Sequence, residues 1–353
     1  MQQTRINLTL PRHWNKCSRE QLEMIADVMQ EQINRVDRYH PFDMRNVKVA
    51  MFFVLSGIEI VSGPNPSVPV EEQYYTCRFM KKRHWWQRKR SGDDTFSLYL
   101  WQINYWLSPK AKTDDTTSAE YIGQGAGLLD WLDNERGMFL TNFVYQNLRL
   151  HKRGKWFSRK RAFRGPYPDL DGFSWAQYRF ASETMQNYTQ LSNNLIRMQE
   201  MGKFTQEQLY KQAQNADLAR AMFLATIFNA KTHYVDTNTG VLKHNFHYES
   251  NQCSDNAEYF RHFPDTQWQV ILFWWTGMMH TLSKRYPHVF KVQSTKRQRP
   301  TTPLEIYTAT TATMQKYAGL TEDQVNHQSY SLVLEHLERL SKENEEMEKI
   351  SRK

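Results

Sequence analysis

SWAQYRFASETMQNYTQLSNNLIRMQE, running from Ser174 to Glu200, and the sequence Thr205-Gln-Glu-Gln208 shortly after it decide the fold. The first turn of a helix leaves backbone N–H groups without partners, and a serine hydroxyl just ahead of it can accept one of them. Ser174 can therefore cap a helix that runs to about Glu200. In Thr205-Gln-Glu-Gln208 the threonine and glutamine side chains can each satisfy the other's backbone, a capping box that opens helical sequence to about Phe228. The chain beyond Gly172 reads as almost wholly helical. Asp265 or Thr266 can start an apolar helix with Trp268, Ile271, Leu272, Trp275, Met279 and Leu282 on one side. Pro303 fits the first turn of another. Thr321-Glu-Asp-Gln324 caps the last, with a core face of Val325, Val333, Leu334, Leu337 and Leu340. After Ser341 the chain is charged and polar, and a solvated or fraying end is expected.

Working back from Ser174, Gly165-Pro166, Pro168 and Asp171-Gly172 form a break, and a domain boundary is placed there. Residues 165–353 read as an all-helical domain with a charged tail, and residues 1–164 as a mixed, mainly helical domain. Near the start, Ser18-Arg-Glu-Gln21 is a capping box, and Leu22, Ile25, Ala26, Met29, Ile33 and Val36 recur at helical spacing. A second helix begins at about Asp43, with Val47, Ala50, Met51, Val54 and Leu55 on one face, and Gly57 stops it. Gly63-Pro-Asn-Pro66 and Pro69 mark a loop. Phe96, Tyr99, Leu100, Ile103, Trp106 and Leu107 fit an amphipathic helix that Pro109 would end. Between Gly137 and Phe163 no clean period emerges, and one β-hairpin turning at Lys152-Arg-Gly154 is predicted. The expected fold class is mainly α, helical domains with a small β-hairpin element in the N-terminal half. There is no internal repeat and no sustained heptad.

Aromatic residues make up 14% of the 353, ample for a core even in a chain of polar mean hydropathy. Cys17, Cys77 and Cys253 are odd in number and far apart, so no disulfide framework follows and a reducing compartment is the simpler reading. Met1–Leu10 lacks a secretory apolar run, and the most apolar stretch, Val270–Met279, is shorter than the roughly 20 residues that cross a bilayer. A cytoplasmic chain without membrane contact is expected. The net charge of +9 is unevenly spread. Arg78–Arg90 holds seven Lys or Arg, Arg149–Arg164 eight and Lys284–Arg299 six, with no acid in any of them. These 21 of the 46 cations leave 25 against all 37 acids, so the remainder carries about −12. An acidic body with three basic segments favours a polyanion or an acidic protein surface as partner.

Two basic segments also carry aromatic rings. Arg83, Trp85, Trp86, Arg88, Lys89 and Arg90 are one set, and Lys155, Trp156, Phe157, Arg159, Lys160 and Arg161 the other. Nucleic-acid binders pair cations for phosphates with rings for bases. The alternative is that the rings pack inward while the cations are solvated or meet acidic partner proteins; no zinc-finger spacing, RNP-type strand or helix-turn-helix supports the sharper idea. His244, His247, Cys253 and His262 are close in sequence, but their order matches no standard zinc spacing, and no metal is expected. Gly123-Gln-Gly-Ala-Gly127 lacks the apolar strand that a dinucleotide loop requires ahead of it and reads as a flexible turn. Asp169 and Asp171 sit in a turn, where aspartate serves the backbone. Gly-x-Ser-x-Gly, Walker and His-Glu-x-x-His motifs are absent, so the chain is read as non-enzymatic, without cofactor or catalytic residues.

Leu10-Pro-Arg-His-Trp14 followed by Ser18-Arg-Glu-Gln-Leu22 resembles the opening of proteins encoded in the structural gene clusters of tailed phages and prophages of Bacteroides-type bacteria. Gly165-Pro166 leading to Gln177-Tyr-Arg179, Phe223-Leu-Ala-Thr-Ile-Phe228, and Thr310-Thr-Ala-Thr313 with Lys316-Tyr317 look similar too. The points of likeness are short and spread over most of the chain. The resemblance implies a role in virion morphogenesis, such as tail assembly, in the host cytoplasm or on the virion, beside other phage structural or assembly proteins. It implies no catalytic residues, and the basic segments are no part of it. The expected action is protein–protein binding with Trp85, Trp86 and Trp156 as buried anchors; nucleic-acid binding through 78–90 and 149–164 is the alternative.

Overall fold

The structure, a computed structural model, describes residues 11–34, 44–56, 58–63, 65, 67–79, 95–99, 127–132, 140–152, 160–235, 242–290 and 303–351. Of these, 66% are helical, and two small antiparallel sheets accompany the helices, so the fold is mainly α. The chain forms two compact units, Met1–Leu140 with Asp265–Phe273, and Thr141–Pro264 with Trp274–Lys353.

In the first unit, α1 (Arg19–Asn34) starts at the predicted capping box: Gln21 N donates to Ser18 Oγ (3.2 Å) and Ser18 N to Gln21 Oε1 (2.8 Å). Its buried face is Leu22, Ile25, Ala26 and Val28. In α2 (Met44–Ser56), Val47, Met51, Phe52 and Phe53 are buried. A three-stranded sheet comes next, in the order β1 (Ile58–Ser62), β2 (Tyr74–Phe79), β3 (Thr95–Tyr99). The helix predicted from Phe96 onward is corrected here. Leu98 is fully buried between exposed Ser97 and half-buried Tyr99, and the segment pairs with β2 through Tyr75↔Leu98 and Cys77↔Phe96. Apolar residues this close together satisfy both periods, and pairing with β2 decides between them. Residues 100–107 of that expectation lie outside the described residues.

The second unit holds α3 (Trp175–Met201) and α4 (Gln206–Ile227), whose caps are those predicted. Ser174 Oγ accepts from Gln177 N (3.2 Å), and the Thr205–Gln208 capping box is closed in both directions. Gly202, left-handed at φ 62°, ends α3. The buried amide of Gln177 donates to Thr226 O (2.9 Å) and Asn229 Oδ1 (3.0 Å), tying α3 to the end of α4. The four-stranded sheet runs β4 (Asn147–Leu150), β5 (Arg161–Arg164), β6 (Asn229–Val235), β7 (Leu242–Phe246). The predicted hairpin is β4–β5, but Leu150 pairs with Arg161, so residues 151–160 join the strands, more than a turn at Lys152-Arg-Gly154 would use. The β6–β7 hairpin corrects the all-helical reading of the C-terminal half.

Next come α5 (Cys253–Phe260) and α6 (Asp265–Arg285), which supplies Asp265–Phe273 to the first unit and Trp274 onward to the second. α7 (Pro303–Ala318), α8 (Glu322–His327) and α9 (Tyr330–Ser351) complete the chain. The last predicted helix is thus two. At the break Trp175 N donates to Gln328 O (2.7 Å), Ser174 bridges Ser329, and Tyr330 N donates to Phe173 O (3.2 Å). The charged end expected to fray continues as helix α9 to Ser351. Aromatic rings fill the second core: Phe143 lies 4.6 Å from Trp274, and Phe228 stacks on Phe260 at 5.3 Å. Gly165-Pro166, read from sequence as a boundary, lies within this unit; Gly165 N donates to Gln146 O (2.9 Å) and Pro166 O accepts from the Gln146 amide (2.9 Å).

Candidate anion-binding face

The strand period of two divides the four-stranded sheet into unlike faces. Phe163 and Ala230, paired across β5 and β6, are buried, and Phe163 packs on Phe260 (4.9 Å) and Tyr259 (5.6 Å) of α5. Residues one step away point to the opposite, outer face. Arg149 pairs with Ala162 there, and the β5–β6 register sets Lys231 beside Ala162 on its other side. Arg164 follows Ala162 by two residues in β5, and Lys160 stands just ahead of the strand. Arg149, Lys160, Arg161, Ala162 and Lys231 line a shallow cavity of about 340 Å³.

Arg164 is held in place rather than neutralised. Its guanidinium lies 4.3 Å from the centre of the Phe246 ring, and Nη1 is 3.0 Å from the Tyr167 hydroxyl. Tyr167 itself is exposed. At one edge Asp255 of α5 accepts from Lys152 Nζ (2.5 Å) and Arg161 Nη1 (3.3 Å), while Arg161 Nη2 donates to Gln252 Oε1 (2.8 Å). The bond to Asp255 holds the Lys152 ammonium above the ordinary lysine range. Among the described residues, no carboxylate lies within ion-pair distance of Arg149, Lys160 or Lys231. Three cations without acidic partners, with a fourth stacked on a ring, make this face attractive to anions.

Of the residues singled out from sequence, Lys160 and Arg161 are at this cavity. Arg83, Trp85, Trp86, Arg88, Lys89, Arg90, Lys155, Trp156 and Arg159 lie outside the described residues. Arg149, Arg164 and Lys231 are not among the residues singled out from sequence. Asp236-Thr-Asn-Thr-Gly240, a turn signal behind the β-favouring Thr232, Tyr234 and Val235, could have pointed to Lys231.

The other candidates resolve into local roles. Cys253 is buried, with its thiol pushed up by burial, His262 is exposed, and His247 Nε2 is 2.8 Å from Glu249 Oε1. Among the described residues no three His, Cys, Asp or Glu could share a metal ion. All three cysteines are free and buried, and burial pushes Cys17 up to about 12 and Cys77 up to about 11. Asp169 and Leu170 take left-handed conformations (φ 56° and 57°), and the Tyr330 hydroxyl donates to the Asp169 carbonyl. Of the Gly-rich run only Gly127 is described, opening a short 3-10 turn to Leu132. Among the described residues no helix is long and apolar enough to cross a membrane.

No protein-family model, curated protein or solved structure matches this chain.

Proposed function

We propose that the protein is a non-enzymatic binding protein that engages nucleic acid through the outer face of the four-stranded sheet. The observation that carries this reading is the row Arg149–Ala162–Lys231 with Lys160 alongside, cations with no carboxylate partner among the described residues. A solvated structural face ordinarily interleaves both signs, and such pairs quench its field. Phe246 and Tyr167 add rings beside Arg164, the composition that single strands exploit for stacking. Virion morphogenesis in a phage or prophage, tail assembly included, remains the proposed setting, in the host cytoplasm or on the particle.

Fluorescence anisotropy with a labelled oligonucleotide tests the reading. Log affinity is expected to fall linearly with log salt, at a slope of about −0.7 for each phosphate neutralised on a single strand. Arg149→Gln with Lys231→Gln should weaken binding and make that slope shallower. No retention of oligonucleotide at ~150 mM salt, in the range where non-specific binders hold micromolar affinity, would end it.

A protein partner is the second reading, and a separate surface favours it. The α3–α4 pair exposes Ile196, Met201, Tyr210 and Leu218, and a groove of about 360 Å³ between the helices is lined by Leu191, Leu218 and Met222 together with Thr184, Asn187 and Asn215. Exposed apolar side chains on one helix pair, with Leu218 at the groove, suit protein docking.

A further inference from the structure

We infer that the cavity above Ala162 is a seat for one phosphoryl group. The inference rests on the nucleic-acid reading and gives its chemical unit. Neighbouring strands lie about 4.8 Å apart, so Arg149 on β4 and Lys231 on β6 rise on either side of Ala162 with roughly twice that spacing between their backbones. Lys160, just ahead of β5, lines the same cavity. Three long side chains thus surround a single methyl group, while the Arg161 guanidinium turns to the other face, where Gln252 and Asp255 hold it.

The small residue makes the cavity. Any longer side chain at position 162 would stand where the 340 Å³ space now is, among the cations. That volume is at the lower end of ligand-sized sites, which run from about 300 Å³ and are mostly apolar. Here the walls carry the Arg149 guanidinium and the Lys160 and Lys231 ammonium groups, so the occupant must carry charge. A lone carboxylate has two oxygens and is satisfied by one arginine fork. A phosphoryl group presents tetrahedrally disposed oxygens, two unbridged on a phosphodiester and three on a terminal group of about −1.5 to −2 charge, which suits donors converging from β4, β6 and the residue ahead of β5.

The test uses the full chain, with calorimetric titration of inorganic pyrophosphate beside anisotropy of a labelled single-stranded oligonucleotide. Ala162→Ile fills the floor with a residue that strands favour and changes no charge. Pyrophosphate should bind the unaltered chain, and Ala162→Ile should weaken it about tenfold or more, the size of one lost charged hydrogen bond. If that variant fails to fold, Lys160→Gln with Lys231→Gln decides instead, with the same loss expected. Pyrophosphate affinity unchanged in a folded Ala162→Ile protein overturns the seat, and so does equal competition by polyglutamate of matched charge. Oligonucleotide binding without pyrophosphate binding removes the seat and leaves the proposed function. Pyrophosphate binding without oligonucleotide binding removes the nucleic-acid reading and leaves a seat for a small phosphate compound. Affinity for neither overturns both.

Discussion

At Gly165 the backbone passes so close to Phe143 that a Cβ would lie 2.3 Å from its ring and 2.6 Å from the Tyr145 carbonyl oxygen. Real Cβ atoms do not approach backbone in this way, so β5 and the Phe143–Tyr145 segment would have to separate. Gly165→Ala is expected to cost about 1–3 kcal/mol, the range for overpacked cores, read as a lower urea midpoint at unchanged slope. The same glycine shows the limit of reading residues one at a time. In the sequence, Gly165-Pro166 has the composition of a linker; in the fold the glycine is a contact. Nothing local distinguishes the two, because Phe143 is brought there by tertiary packing. Serine and threonine caps were legible for the opposite reason, since each acts on a partner three residues away.

Among elements, α4 and the segment after α6 carry the clearest measurable consequences. Thr205→Ala opens the capping box at the start of α4 and should cost about 1 kcal/mol, seen as a lower thermal midpoint. After α6, Glu338 of α9 accepts the backbone N–H groups of His288 and Val289 (both 3.0 Å) and is bonded to His288 Nδ1. Burial alone would raise this carboxyl, but the bonds from His288 and Val289 outweigh it and hold the group below its ordinary value. The stabilisation is therefore complete above the unfolded carboxylate range near 4.5 and drains away as pH falls through the lower folded value. Glu338→Gln should flatten the acid side of a urea-midpoint profile between about pH 5 and pH 3; an unaltered profile there would show that other carboxylates set it. The helices were legible because each is long and capped. β3 and β6 were not, since a run of four to seven residues fits either period and only the neighbouring strand chooses.

For the molecule as a whole, charge segregation was plain in the sequence: Arg149–Arg164 carries eight cations and no acid. Which of them share a face was not, because that depends on pairing register, and Lys231 joins them from a strand remote in sequence. The consequence is that net charge alone should not predict polyanion affinity. Arg149→Gln, Lys160→Gln and Lys231→Gln together should elute from immobilised heparin at clearly lower salt than the unaltered chain. The matched set Arg19→Gln, Arg285→Gln and Arg339→Gln removes the same charge from cations already paired with Glu23, Glu335 and Glu343. That set should elute almost unchanged. Equal shifts for both would mean that the chain binds polyanions by overall charge and that the sheet face has no special part.

The seam at residues 328–330 bears on how the second unit is made. The first amide of α3, the Phe173 carbonyl and the left-handed turn at Asp169 all find their partners in Gln328 and Tyr330. A ribosome reaches those residues only some 150 positions later, which at about 5–20 residues per second is a wait of roughly eight to thirty seconds. Until then the head of α3 is unfinished, and a chain released before Gln328 would never complete it.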